Sequence, residues 1–130
     1  MELPELPKQK KKREASITPA VLAWFRKNYP STCLIEIKYS RTGSIAEKAV
    51  LPHQKQALMC ACSDIGVTHK LTDEARRQQP CDAFHIVKAE GLVVACFKRT
   101  GTCYIVPIEK WRGIRLADLL TSGSTLSFEL

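Results

Sequence analysis

Residues 31–41 read STCLIEIKYSR. The run is apolar enough for a β-strand over residues 32–39, with Cys33, Leu34, Ile35 and Ile37 supplying the hydrophobic content. Side chains of a strand alternate between its faces. Ile35 and Ile37 therefore project into a core, while Glu36 and Lys38 share the opposite side. A carboxylate and an ammonium side by side suit either a half-exposed strand with a solvated face or a central strand whose charged end emerges into a cleft. The apolar stretch up to Leu34 favours the second reading.

The flanks set this strand in a layered fold. Ahead of it, SITPAVLAWFRKNYP carries the punctuation of a short amphipathic helix. Thr18 is the expected N-cap and Pro19 the first helical residue, Val21, Leu22, Trp24 and Phe25 form the apolar side, and Pro30 is the stop. After the strand, SRTGS turns the chain, and a second helix is expected over 51–63 with Leu51, Leu58 and Cys62 packed and Pro52 near its start. VTHKLTD is a short strand, EARRQQP a polar loop, and DAFHIVKAEG with LVVACFKRTG a hairpin turned by Glu90 and Gly91. TCYIVPIEKW is a further strand, RLADLL a weak helix, and the Ser/Thr/Gly-rich end a loose tail. Helix, strand, helix and then several strands predict an α+β or mixed α/β layer protein.

The chain has 130 residues, 45% hydrophobic and 25% charged, within the usual range of one domain that buries its own core. No apolar run approaches the roughly 20 residues of a membrane-spanning helix, and the opening MELPELPKQKKKREAS lacks the apolar segment of a secretory signal. A cytoplasmic protein is expected, with a host cytoplasm as the setting if a phage encodes it. The six cysteines are expected to be reduced thiols. Cys60, Cys62, Cys81, His53, His69 and His85 include no Cys-x-x-Cys pair and match no zinc-finger or ribbon spacing, so zinc is set aside.

Charge gives the first functional indication. Twenty Lys and Arg against 13 Asp and Glu leave a net charge of +7, which favours polyanions such as nucleic acid or an acidic membrane face. Part of the excess lies in KQKKKR, within a disordered arm expected over residues 1–16; the rest is spread over a single domain at 17–130.

A site for phosphodiester hydrolysis pairs a carboxylate that holds Mg²⁺ with a lysine that offsets charge on the phosphate. Glu36 and Lys38 supply such a pair, and a second carboxylate is expected from a neighbouring strand. Asp82, in QQPCDAFHI, stands where the next strand opens.

A Glu-x-Lys on one strand with Pro-x-Asp entering another resembles the PD-(D/E)XK nuclease superfamily, and more narrowly the phage and prokaryotic Holliday-junction resolvase-like nucleases. The resemblance rests on EIK at 36–38, HQKQAL at 53–58, HKLTD at 69–73, PCDAF at 80–84, and the strands LVVACF and YIVPIEKW, and covers roughly residues 17–111. It implies a restriction-endonuclease-like core, a central mixed β-sheet flanked by helices. It also implies a Mg²⁺- or Mn²⁺-dependent endonuclease acting on branched DNA, as a homodimer matched to the two-fold symmetry of a four-way junction. Carried over residue by residue, the metal-ligating carboxylates fall on Glu36 and Asp82, the lysine on Lys38, and the polar residue of the helix behind the site on Gln54. In this chain the Asp follows the Glu-x-Lys, whereas the superfamily usually has it before. A second register makes Lys98 the lysine, with Cys96 where a carboxylate belongs.

Other residues stay open between two roles. Asp73 is either a third metal carboxylate or the N-cap of EARRQQ. His53 is a helix-start or surface residue beside Gln54, Lys70 and Arg41 are phosphate contacts or solvated charges, and Trp24 and Trp111 are core or interface aromatics. The competing function is a basic DNA-binding protein without catalysis.

Overall fold

The computed structural model describes residues 14–70, 83–122 and 126–130. Asp73, Asp82, Cys81 and residues 1–13 of the expected basic arm lie outside them. The elements are helix α1 (Glu14–Asn28), strand β1 (Cys33–Ser40), β2 (Ser44–Ile45), helix α2 (Pro52–Cys62), β3 (Val67–Lys70), β4 (Ala83–Ile86), β5 (Glu90–Phe97), β6 (Thr102–Pro107), β7 (Ile114–Arg115), helix α3 (Leu116–Ser122) and β8 (Leu126–Glu129). The protein is mixed α+β, built around a four-stranded mixed sheet in the order β1-β5-β6-β8.

β1 and β5 run parallel, which requires a crossover, and α2 lies in it. β5 and β6 then form an antiparallel pair that β8 extends. Parallel register places Glu36 opposite Val93 and Lys38 opposite Ala95, so each pair shares a face. On that face Val93, Ala95 and Phe97 join Leu58 of α2 with Ile45, Val50, Ile108 and Trp111 in one buried cluster. On the other face Ile37, Leu92, Val94, Cys96, Cys103, Ile105 and Phe128 pack with Val21 and Phe25 of α1.

One close approach fixes α2 on the sheet. A Cβ at Gly91 would collide with the Leu58 carbonyl, so the helix backbone rests directly on β5 where the strand carries no side chain. The C-terminal end of α2 is tied to the start of β5, where Ala89 N–H donates to Ala61 O at 2.8 Å. With the sheet running parallel at this point, the N-terminal end of α2 lies toward the C-terminal half of β1.

Several expectations change. Among the described residues β1 is an edge strand of the sheet, not a central one, because it pairs with β5 alone. Glu90 and Gly91 do not turn a hairpin; they open β5, and the hairpin expected between β4 and β5 is instead β3 with β4. β4 and β5 are separated by residues 87–89, with Lys88 at φ 52°. α1 starts at Glu14, so Pro19 is an interior residue rather than the first, and residues 14–16 of the expected arm are helical. The packed stripe of α2 is Leu58 and Ala61, with Leu51 and Cys62 exposed.

An aromatic anchors the last strand, β8. Phe128 stacks on Trp24 at 4.1 Å with rings 9° apart, and Leu130 N–H donates to Gly101 O at 2.9 Å. The expectation of six reduced thiols also fails for one pair. Cys96 and Cys103 lie directly opposite each other across β5 and β6, Cα atoms 4.0 Å apart, and form a disulfide. Cys33, Cys60 and Cys62 are free. Among the described residues no helix is long and apolar enough to cross a membrane.

Candidate functional site

β1 carries Glu36 and Lys38 onto the face covered by α2, and the first turn of that helix brings Gln54 to them. Gln54 Nε2 donates to Glu36 Oε2 at 3.0 Å, and Lys38 Nζ lies 3.5 Å from the same oxygen. The side chains of Lys38 and Glu36 are 15% and 28% exposed, so the pair is partly withdrawn from water while still reachable. Oε1 of Glu36 has no partner among the described residues.

The amide of Gln54 is oriented by its own helix. Its Oε1 accepts the N–H of Leu51, the residue before the helix, at 3.0 Å. This is the reciprocal half of a capping box; Leu51 has no acceptor with which to supply the other half. Once the oxygen is committed to the helix start, only the NH₂ can face Glu36, so Gln54 acts there as a donor. Helix start and site geometry are thus one hydrogen-bonded chain, Leu51–Gln54–Glu36, with Lys38 at its end. The group lies at the middle of a parallel strand beside the N-terminus of the crossover helix. Below it the strand ends in a turn closed by Ser40 Oγ, which donates to Ser44 O at 3.0 Å and accepts Thr42 N–H at 3.0 Å.

The face assignments separate the two registers that the sequence left open. Cys96 is fully buried on the α1 face, bonded to Cys103, whereas Glu36 lies on the α2 face. A register that puts Cys96 at a carboxylate position beside Glu36 is therefore excluded by the sheet itself, and Lys98, exposed just past the end of β5, is not the partner of Glu36. Lys38 is.

His53 is exposed in the first turn of α2 and is not part of the hydrogen bond or ion pair of the cluster. Arg41 is exposed in the turn after β1. Trp111 is a core residue, 1% exposed, whose Nε1 donates to Glu47 O at 2.9 Å. Lys70 falls in β3, in register with Ala83.

As a metal ligand Glu36 fits: a hard cation such as Mg²⁺ takes oxygen donors and is commonly held through one or two carboxylates with water and substrate phosphate completing its shell. Among the described residues no group of three or more His, Cys, Asp or Glu gathers around a common point. The second donors expected from sequence, Asp82 and Asp73, lie outside the described residues.

Sequence reasoning overlooked a second polar contact, on the α1 side. Tyr29 Oη donates to Glu90 Oε1 at 2.5 Å, joining the end of α1 to the start of β5. Burial, then the Glu90 carboxylate, push the Tyr29 phenol up to about 12, and the same two causes raise the Cys33 thiol. A carboxylate opening the otherwise apolar strand EGLVVACF was the available signal.

Comparison with protein families, with curated proteins and with solved structures returned no match to this chain.

Proposed function

We propose that the protein is a metal-dependent endonuclease of the PD-(D/E)XK type, with a restriction-endonuclease-like core. In this reading it cuts branched DNA such as a four-way junction, as a homodimer. The observation that carries the reading is the convergence of Glu36, Lys38 and Gln54. A Glu-x-Lys on a strand, joined to a glutamine of the following helix, is the arrangement that the resemblance implies. Glu36 is the metal ligand, sharing Mg²⁺ or Mn²⁺ with Asp82 and, as a third donor, Asp73. The metal supplies an activated water and a Lewis acid at the phosphate. Lys38 offsets charge developing on the phosphate, and Gln54 holds the Glu36 carboxylate in place. The net charge of +7 supports a polyanionic substrate.

The test is cleavage of labelled four-way junction, linear duplex and single strand with Mg²⁺, Mn²⁺ or EDTA. Glu36→Gln and Asp82→Asn should each cut at least about a hundredfold more slowly while junction binding persists, because both remove metal ligation rather than phosphate contacts. Wild-type protein that binds the junction and never cuts it would favour the second reading, a non-catalytic basic DNA-binding protein. That alternative is supported by the hydrogen bond and ion pair that Glu36 Oε2 already makes within the protein.

A further inference from the structure

Beside the Glu36 cluster, around the start of α2, runs an open groove of about 660 Å³ lined by Ala46, Glu47, Lys48, Val50, Pro52, Lys55 and Trp111. Its size falls within the roughly 300–1,000 Å³ of small-ligand sites. Val50 and Trp111 lie buried beneath it, Ala46 and Pro52 give its exposed apolar floor, and Lys48 and Lys55 stand exposed beside them. Neither lysine makes an ion pair among the described residues. Glu47 is the single acid of the lining.

Helix geometry ties the groove to the site. Pro52 and Lys55 are three residues apart and so neighbours on one side of α2, while Gln54, between them in sequence, faces the sheet and Glu36. The groove mouth is therefore within one helical turn of the cluster.

We infer that this groove binds one unpaired nucleotide of a DNA strand, its base against Ala46 and Pro52 and its flanking phosphates on Lys48 and Lys55. The inference rests on the reading of DNA as the substrate. Duplex DNA presents stacked, paired bases and cannot put a flat apolar surface into a recess. An unpaired strand presents that surface with a phosphate on each side, which matches an apolar floor between two cations. The groove thereby adds, to the proposed preference for structured over linear duplex substrates, a preference for DNA that carries an unpaired stretch.

Binding measured in EDTA keeps this test separate from cleavage. Fluorescence anisotropy of a labelled 15-nucleotide single strand, the matching duplex and a four-way junction is followed across salt for the wild type, Lys48→Ala/Lys55→Ala and Ala46→Trp. Ala46 is exposed on the floor, so a tryptophan there fills the groove without entering the core. The double variant should bind the single strand at least about fivefold more weakly, with the slope of log affinity against log salt reduced by about 1.4 for two lost contacts. Ala46→Trp should lose single-strand affinity by a similar factor and keep duplex affinity within about twofold.

Wild-type affinity of both variants for the single strand overturns the inference, as does an equal loss for duplex and single strand in Ala46→Trp. A polyglutamate chain that competes as well as the single strand also overturns it, since the groove would then read charge alone. Should Ala46→Trp fail to fold by circular dichroism, the double variant decides. Loss of single-strand binding without any wild-type cleavage would keep the groove and remove the nuclease; cleavage that depends on Glu36 with unchanged groove variants would do the reverse.

Discussion

The face of the sheet under α1 is apolar from Ile35 to Phe128, whereas the face under α2 is interrupted by Glu36, Lys38 and Gln54 in the middle of its packing. Both faces come from the same strands, and both have a buried aromatic, Phe25 on one and Phe97 on the other. The α1 side keeps its polar contact at the rim, where Tyr29 meets Glu90. The α2 side admits charge inward and answers it at once with a donor and a cation. Partly buried charge costs free energy unless it is paired and hydrogen-bonded, so a polar inlay on only one of two otherwise comparable faces points to use rather than to packing.

Truncating either aromatic removes a core side chain at 6% and 0% exposure, and Phe25→Ala and Phe97→Ala should each cost roughly 3–5 kcal/mol in urea unfolding. A much smaller loss on the α2 side would mean that this face is not a core at all. Gly91→Ala should cost about 1–3 kcal/mol, because the methyl group meets the Leu58 carbonyl and the helix has to lift. If cleavage is present it should fall with it, since lifting α2 draws Gln54 away from Glu36; unchanged cleavage at full destabilisation would separate the helix from the site.

Gln54→Ala loses both the donor to Glu36 and the acceptor at the helix start, and should destabilise by about 1 kcal/mol. Gln54→Glu keeps the acceptor for Leu51 and replaces the donor with a carboxylate, so it should retain more stability than Gln54→Ala while impairing the site more. The reverse order would show that the glutamine only caps the helix.

The smallest effect belongs to the α1 rim. The folded protein holds the Tyr29 phenol above its ordinary value of 10.0, at about 12, and so favours its protonated form. The stability this adds is fully present below pH 10.0 and is lost as pH rises toward about 12. Unfolding followed between pH 9 and 12 should therefore show a decline in the wild type that Tyr29→Phe lacks. Parallel curves would assign the decline to other groups.

How far the sequence reached differs between these two faces. Alternation along STCLIEIKYSR placed Ile35 and Ile37 opposite Glu36 and Lys38, and the position of Gln54 near a helix start, with the resemblance, put it beside them. Those readings concern near neighbours, where strand period and helix pitch dictate direction. The sequence missed that β5 begins at Glu90, because Glu-Gly next to apolar runs is also a good turn; a parallel partner 57 residues away in register, Cys33 with Glu90, leaves no local mark. It missed β8 for a related reason: a Ser/Thr/Gly-rich tail has little strand character of its own, and Phe128 gains its place by pairing with β6 and packing on Trp24 and Phe25.

By itself the sequence determined the residue types, their alternation and the basic charge, because these follow from bond geometry and composition along a short stretch of chain. Tertiary structure decided which of the two lysines, Lys38 or Lys98, meets Glu36, and that Cys96 pairs with Cys103 instead of standing in for a carboxylate. Such choices depend on strand register, and register is set by the summed packing of both faces against two helices, a quantity that no local stretch of sequence contains.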